Sequence, residues 1–285
     1  MMFSRAGQWF KFIGHAFART PTAKPVAGRA EQWFKFIGDT AVALMFPQMC
    51  SLCGLPVDSL DDGVTCRRCW DETPRLDRTS CCERCGWPAH VKQPRGAHSA
   101  GCPQCRDLVL TALRYAAPYE GACRQNILFL KDHPVVCGRI KEMLVQTLKQ
   151  EAVLQAATLV VPVPLHPQRR RERGFNQAEL VSRIVARVMG TALCRRALIR
   201  IKHTEQHRAG MDAIARAKSV SEAFALKHPH LIADQHVMLV DDVYTSGATL
   251  NACARVLWQA GARSVVGFTI ARVVSRSALP QRSAA

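Results

Sequence analysis

The sequence predicts an α/β domain on a parallel sheet, preceded by a small cysteine-dense domain. Three observations lead there. The apolar runs Leu159 to Val163 and Val237 to Val240 are too short for helices and suit strands buried on both faces. Each is followed by a segment whose apolar residues recur at three- and four-residue steps, as on one side of a helix. Four C-x-x-C units crowd residues 50–105, where aliphatic residues are scarce.

A chain of 285 residues has room for one large domain or two modest ones, and for a proper core. Lys plus Arg number 39 against 22 Asp plus Glu, a formal charge of +17. That favours polyanions (nucleic acid, nucleotides, diphosphates) without choosing among them, and it also serves solubility. The start lacks the apolar core and cleavage site of a secretory signal. No apolar run reaches the roughly 18 residues of a membrane-spanning helix. A reducing, cytoplasmic compartment is therefore expected, where the 13 cysteines favour metal ligation over disulfides.

Residues 1–46 form an extension in which Gln8 to Gly14 returns as Gln32 to Gly38, across a linker from Arg19 to Val26. A repeated basic-aromatic heptamer suits a membrane surface or a partner. A tandem duplication, or a start codon placed too early, is the favoured account of the repeat. Weak order is expected up to about residue 29.

Residues 47–107 carry the cysteines. One C-x-x-C turn places two thiolates on a metal, and two turns complete a tetrahedral four-sulfur site. Cys50, Cys53, Cys66, Cys69, Cys82, Cys85, Cys102 and Cys105 are thus expected to hold two structural zincs, and spacing leaves their pairing open. Four-thiolate sites have no open coordination position, so catalysis by the metal is not expected. Gly54 and Gly86 follow two of the turns, where the backbone needs freedom. Cys81 is a spare that could replace Cys82. Metal must stand in for the missing core. Arg67, Arg68, Arg75, Arg78 and Arg84 keep nucleic-acid contact within reach.

Residues 108–275 turn globular. Leu113 to Tyr119 reads as a strand, Gly121 to Lys131 as a helix, and Ile140, Leu144, Val145 and Leu148 as another helix's core stripe. The run from Leu159 is stopped by Pro162 and Pro164. Arg169, Arg170, Arg171 and Arg173 come just past its carboxyl end, where open α/β sheets bind ligands. Gly174-Phe175-Asn176-Gln177 then leads into a helix with Leu180, Val181, Ile184, Val185, Val188 and Met189 inward. Residues 200–236, with His203, Thr204, Gln206, His207, Arg208, Arg216 and Phe224, are polar and basic and suit a lid. Ser264 to Ile270 is the last strand. The tail after Arg272, residues 276–285 above all, is expected to be disordered.

The stretch from Val237 to Leu250 carries the chemistry. Its strand is expected to end at Asp241 and Asp242. A small-residue loop follows, Thr245 to Thr249, and then a helix with Leu250, Cys253, Ala254, Leu257 and Trp258 inward and Gly261 closing it. Loop N–H groups and a helix N-terminus hold a phosphate dianion. Carboxylates accept hydrogen bonds from hydroxyls. A ribose 5-phosphate offers both groups. Taken singly, each feature also suits a plain βα turn with acidic caps.

The C-x-x-C pairs, Val161-Pro162-Val163-Pro164-Leu165, Arg173-Gly174-Phe175-Asn176-Gln177, the segment from Gln206 through Arg216 to Phe224, and Leu239 to Thr249 together resemble the ComF/GntX family of phosphoribosyltransferase-like proteins. The resemblance covers about residues 47–272, with Ser219 and Asp132 departing from its pattern. It implies a double zinc ribbon ahead of a type I phosphoribosyltransferase fold: about five parallel strands, helices on both faces, and a small hood. It implies phosphoribosyl diphosphate (PRPP) with Mg²⁺ as ligand. Asp241 and Asp242 would hold the ribose 2′- and 3′-hydroxyls. Thr245, Ser246, Gly247, Ala248 and Thr249 would hold the 5-phosphate, and the loop from Pro162, Val163 and Pro164 to His166 the diphosphate. Arg169, Arg171 and Lys131 are candidates for the leaving group's charge. Arg173, Asn176, Gln206, Arg208 and Arg216 are candidates for acceptor and loop contacts. The expected function is phosphoribosyl transfer to an unidentified nitrogen acceptor, linked to DNA uptake or use. It would take place in the cytoplasm or at the membrane's DNA-uptake machinery, with single-stranded DNA as a partner. The alternative is a non-catalytic PRPP sensor or single-strand-binding accessory protein. Oligomeric state is not set by the sequence.

Overall fold

The structure, a computed structural model, describes residues 48–88, 102–201 and 223–275. The duplicated heptamers, the residues from His203 to Ser219, and the tail from residue 276 lie outside them. Five parallel strands form one sheet in the order β1-β7-β6-β2-β3. They are β1 (Ala112–Pro118), β2 (Leu159–Pro162), β3 (Ala192–Leu193), β6 (His236–Tyr244) and β7 (Ser264–Arg272). A separate antiparallel pair, β4 (Leu198–Arg200) and β5 (Phe224–Leu226), forms a small hood. The helices are α1 (Arg67–Glu72), α2 (Gly121–Phe129), α3 (Gly138–Gln150), α4 (Ala152–Gln155), α5 (Pro167–Arg173), α6 (Gln177–Met189) and α7 (Ala248–Gln259).

Strand side chains alternate between faces, so each strand feeds two apolar layers. Met238 and Val240 of β6 join Ile127, Ile140, Leu144, Val181 and Val185 in one layer, under α2, α3 and α6. Val237 and Leu239 join Leu250, Cys253, Leu257, Leu198 and Phe224 in the other, under α7 and the hood. The first cysteine segment sends Cys50, Cys66, Cys69 and Trp70 into the former layer. The second sends Cys82, Cys85 and Cys105 into the latter. The two ribbons therefore cover opposite faces of one sheet.

Three expectations need correction. Strand β6 does not stop at the acidic pair; it runs on to Tyr244, because β7 keeps pairing with it through Val243↔Ala271 and Tyr244↔Arg272. The arginine run after β2 is itself a helix, started by the His166 side chain accepting from the Gln168 N–H with Pro167 in the first turn, and ended by Gly174 at φ 77°. The chain just past Arg272 is anchored: the Val273 N–H donates to Tyr244 O at 2.9 Å, and Val274 is buried against Tyr115.

Candidate functional site

The connection leaving β2 turns toward β3, and the one leaving β6 turns toward β7. Where the connections of two adjacent strands diverge, an open α/β sheet usually binds its ligand in the crevice beyond their carboxyl ends. The acidic pair lies in β6 at this switch point, just past the Pro162↔Val240 pair with β2. Regular alternation would place Val243 with Val237 and Leu239, yet it packs in the layer of Met238 and Val240. The phase slips by one residue at Asp241 and Asp242. Strand β7 slips at the same level, with Ile270 and Ala271 both in that layer. The N–H groups of Asp242 and Val243 are taken by the Asp241 and Asp242 carboxylates, at 2.9 and 2.7 Å. Burial and then the neighbouring Asp242 charge push the Asp241 carboxyl well above the usual range, and Arg200 only partly offsets them. Two carboxylates held this close call for a cation or hydroxyl donors.

Next comes the loop Thr245 to Thr249, with Thr245 and Ser246 exposed and Gly247 buried. Gly247 has φ 79° and caps α7 without a side-chain hydrogen bond. A Cβ there would overlap the Tyr244 hydroxyl. The Ala248 N–H has a long contact of 3.5 Å to Ser246 Oγ. This sparsely capped helix start beside two hydroxyl residues suits an anion.

Across the crevice, the Val163 N–H donates to Val240 O at 2.9 Å, which sets Pro162, Val163 and Pro164 beside the acidic pair. Asn176 is buried and its amide is spent on backbone: Nδ2 donates to Val163 O at 2.9 Å and Oδ1 accepts from the Ala178 N–H at 3.1 Å. These bonds shape the turn that leads into α6. Gln177 Nε2 donates to Lys131 O at 3.1 Å, bringing the turn after α2 to the start of α6. Arg170, Arg183 and Arg195 converge on the buried Glu179 at 3.3, 2.7 and 3.2 Å. Burial opposes that carboxylate's charge, but the guanidinium groups outweigh it and hold its pKa below the usual range. Arg170 is thus structural, while Arg171 is exposed and Arg169 and Arg173 are half-buried. Gln206, Arg208 and Arg216 lie outside the described residues.

Sequence reasoning missed Arg200. It lies over the Phe224 ring at 5.4 Å. Burial first, then Arg169, oppose its charge, while Asp241 favours it. Arg200 thus feels both the positive charge of Arg169 and the negative charge of Asp241. The only local hint was that Arg200 opens the basic segment before β6.

The eight cysteines form two sequential groups: Cys50, Cys53, Cys66 and Cys69, and Cys82, Cys85, Cys102 and Cys105, the sulfurs of each within 4.8 Å of one another. In the first, Cys50–Cys69 and Cys53–Cys66 are 3.7 and 3.6 Å apart. In the second, Cys82–Cys105 and Cys85–Cys102 are 3.5 and 3.7 Å apart. Tetrahedral zinc at its usual sulfur distance separates its ligands by about 3.8 Å, so both donor sets fit. Burial opposes the Cys50 thiolate, but N–H groups of Cys66, Cys53 and Leu52 bring its pKa down to about 6. Cys81 stands outside the second group, with Sγ 3.1 Å from Asp77 O, and is no substitute for Cys82. Arg78 and Arg84 also turn inward. Arg78 binds Glu151, Thr147 and Tyr115 O, and Arg84 binds Leu108 O, so neither faces nucleic acid as the sequence suggested. No helix among the described residues is long and apolar enough to cross a membrane.

A double zinc ribbon domain model matches residues 41–106. The chain is 30% identical over 235 residues to the DNA utilization protein YhgH of Escherichia coli strain K12, covering 81% of this chain and 100% of that protein. It is 32% identical over 140 residues to competence protein F of Haemophilus influenzae, covering 47% of this chain and 59% of that one. To competence protein ComFC of Bacillus subtilis it is 34% identical over 115 residues, covering 40% and 44%. Among solved structures, a glutamine PRPP amidotransferase from B. subtilis matches with TM-score 0.31 at 19% identity, over 45% of this chain and 26% of that one. That likeness is too slight to carry an argument.

Proposed function

The chain belongs to the YhgH and ComF family of DNA utilization and competence proteins, and from that premise we propose that it binds PRPP and transfers its phosphoribosyl group to a nitrogen acceptor in DNA uptake or use. The observation that carries this is the acidic pair, set in a phase slip of β6 and followed by a sparsely capped helix start at the sheet's switch point. Asp241 and Asp242 would accept hydrogen bonds from the ribose hydroxyls. The N–H groups around Gly247 to Thr249 would hold the 5-phosphate, with Thr245 and Ser246 adding hydroxyls. Arg169, Arg171, Arg200 and Lys131 would face the diphosphate beside Pro162 to Pro164. Mg²⁺, bound with the substrate near the acidic pair, would neutralise part of the leaving group's charge.

The C1–oxygen bond breaks and its electron pair leaves with diphosphate. The oxocarbenium-like carbon is then trapped by a nitrogen lone pair. Positioning and charge stabilisation carry such a reaction, and the carboxylates also favour positive charge on the ribose. The test is to titrate PRPP with Mg²⁺ into the wild type and the Asp241→Asn/Asp242→Asn variant, then measure diphosphate release with a panel of bases and amines. Saturable binding lost in the variant supports the reading, and no binding by the wild type removes it.

The +17 charge favours a second reading, a single-strand-binding accessory protein that senses PRPP without turnover. Its DNA affinity would fall steeply with salt. Affinity flat across a salt series rules that out, and PRPP binding without diphosphate release from any acceptor favours it.

A further inference from the structure

Arg272 ends β7 and is 2% exposed. Among the described residues no carboxylate pairs with it. It donates to the Cys85 carbonyl and lies over three rings: Trp87 at 4.8 Å, Tyr244 at 4.9 Å and Tyr115 at 5.8 Å. Aromatic faces attract a cation but do not neutralise it, and an unpaired buried charge is costly. A zinc centre of four thiolates carries a net charge of about −2. Cys85 belongs to such a donor set and its carbonyl accepts from Arg272, so the second centre, with zinc bound, would supply the counter-charge.

From Arg272 the contacts lead to the loop. Tyr244 stacks on Arg272, and its hydroxyl fills the space where a Gly247 side chain would stand. A second route joins the same two places. Asn251, in the first turn of α7, accepts from the Val109 N–H at 3.0 Å and donates to Asp107 O at 2.9 Å, just past Cys105. Trp258 Nε1 donates to Val109 O at 3.2 Å further along α7. The first ribbon shares none of these contacts. Its polar contacts run to α2 and α3 through Asn126, Ala122 and Arg139.

We infer that Arg272 is a positioning residue through which the second cysteine centre sets the shape of the loop Thr245–Thr249, so that metal occupancy there and anion binding at the loop are linked. The anion part rests on the phosphate reading proposed above; the positioning part does not. Linkage is reciprocal: bound anion raises the zinc affinity of the second centre and leaves that of the first unchanged.

The test compares Cys53→Ser in the first centre, Cys102→Ser in the second, Arg272→Met and Arg272→Lys. Each is scored for zinc per chain, for amide exchange of residues 244–251, and for binding of ribose 5-phosphate. Cys102→Ser and Arg272→Met are expected to speed exchange in 244–251 on the order of 10-fold, with Cys53→Ser leaving it near wild type. Arg272→Lys keeps the charge but loses the flat fork, and should fall between. If Arg272→Met does not fold, Arg272→Lys and graded chelation of the wild type carry the test: exchange in 244–251 must rise as the second zinc leaves. Equal exchange after loss of either zinc overturns the inference, as does wild-type exchange in both Arg272 variants. The expected exchange pattern without ribose 5-phosphate binding by the wild type upholds the positioning role and removes the phosphate reading.

Discussion

In the first ribbon the Cys50 N–H reaches Leu55 O at 2.7 Å and the Gly54 N–H returns to Cys50 O at 3.0 Å; in the second, Cys82 reaches Trp87 O at 2.9 Å and Gly86 returns to Cys82 O at 2.8 Å. An isolated antiparallel bridge closes each, Met49↔Pro56 and Cys81↔Pro88. Both glycines sit at positive φ, 71° and 67°. The local build is the same, and the difference lies in what each ribbon holds. The first caps α2, where the Ala122 N–H donates to Thr73 Oγ1 at 2.9 Å, and ties Arg139 of α3 to the buried Asp62 at 2.7 Å. The second grips Arg272 and α7 at the acidic-pair end of the sheet. The same four-cysteine motif thus ties helices on one face of the sheet and holds Arg272 and α7 on the other.

The largest effect expected is on the stapling side. Cys66→Ser with Cys69→Ser should remove one zinc per chain and lower the melting temperature by roughly 10 °C or more, since structural zinc contributes folding free energy outright. Metal analysis beside a thermal melt checks it. Unchanged stability with one zinc missing would mean that the first ribbon holds nothing.

Asn126 and Asn251 then sharpen the contrast. Asn126→Ala strands the buried Val64 N–H and removes the donor to Thr65 Oγ1, whose hydroxyl keeps its bond to Asp62 O, at a cost of about 1–3 kcal/mol, with ribose 5-phosphate affinity unchanged. Asn251→Ala should cost only about 1 kcal/mol but weaken that affinity several-fold. Denaturant melts and calorimetry separate the two, and a reversed pattern breaks the comparison.

A smaller effect, of opposite sign, belongs to the acidic pair. Asp241 has its folded pKa raised above the unfolded value. Its ionised form therefore costs stability at pH above that folded pKa, and the cost fades as pH falls through it. Asp241→Asn should raise the melting temperature at pH 8 by roughly 2–4 °C, with the gap to wild type closing on acidification, while PRPP binding is lost. A destabilised variant at pH 8 would mean that the pair is a structural ion site.

Much of this was legible in the residues. Strand and helix periods placed β2, β6, α6 and α7, and the C-x-x-C spacing marked both four-cysteine clusters. What escaped was non-local. Nothing near Asp242 says that β7 will carry β6 on to Tyr244. Nothing near Arg272 marks a buried cation, because its carbonyl partner is 187 residues away. Helix α5 is a different lesson: Pro167 and Gly174 were local start and stop signals, and the arginine run between them drew attention to charge instead.

Amide exchange measured with and without PRPP and Mg²⁺ reads both ribbons and the acidic-pair segment in one experiment. Slowed exchange is expected at residues 240–251 and at the second ribbon's exit, 105–110, with the first ribbon at 62–73 unchanged. No protection at 240–251, or protection centred on the first ribbon, would contradict this expectation.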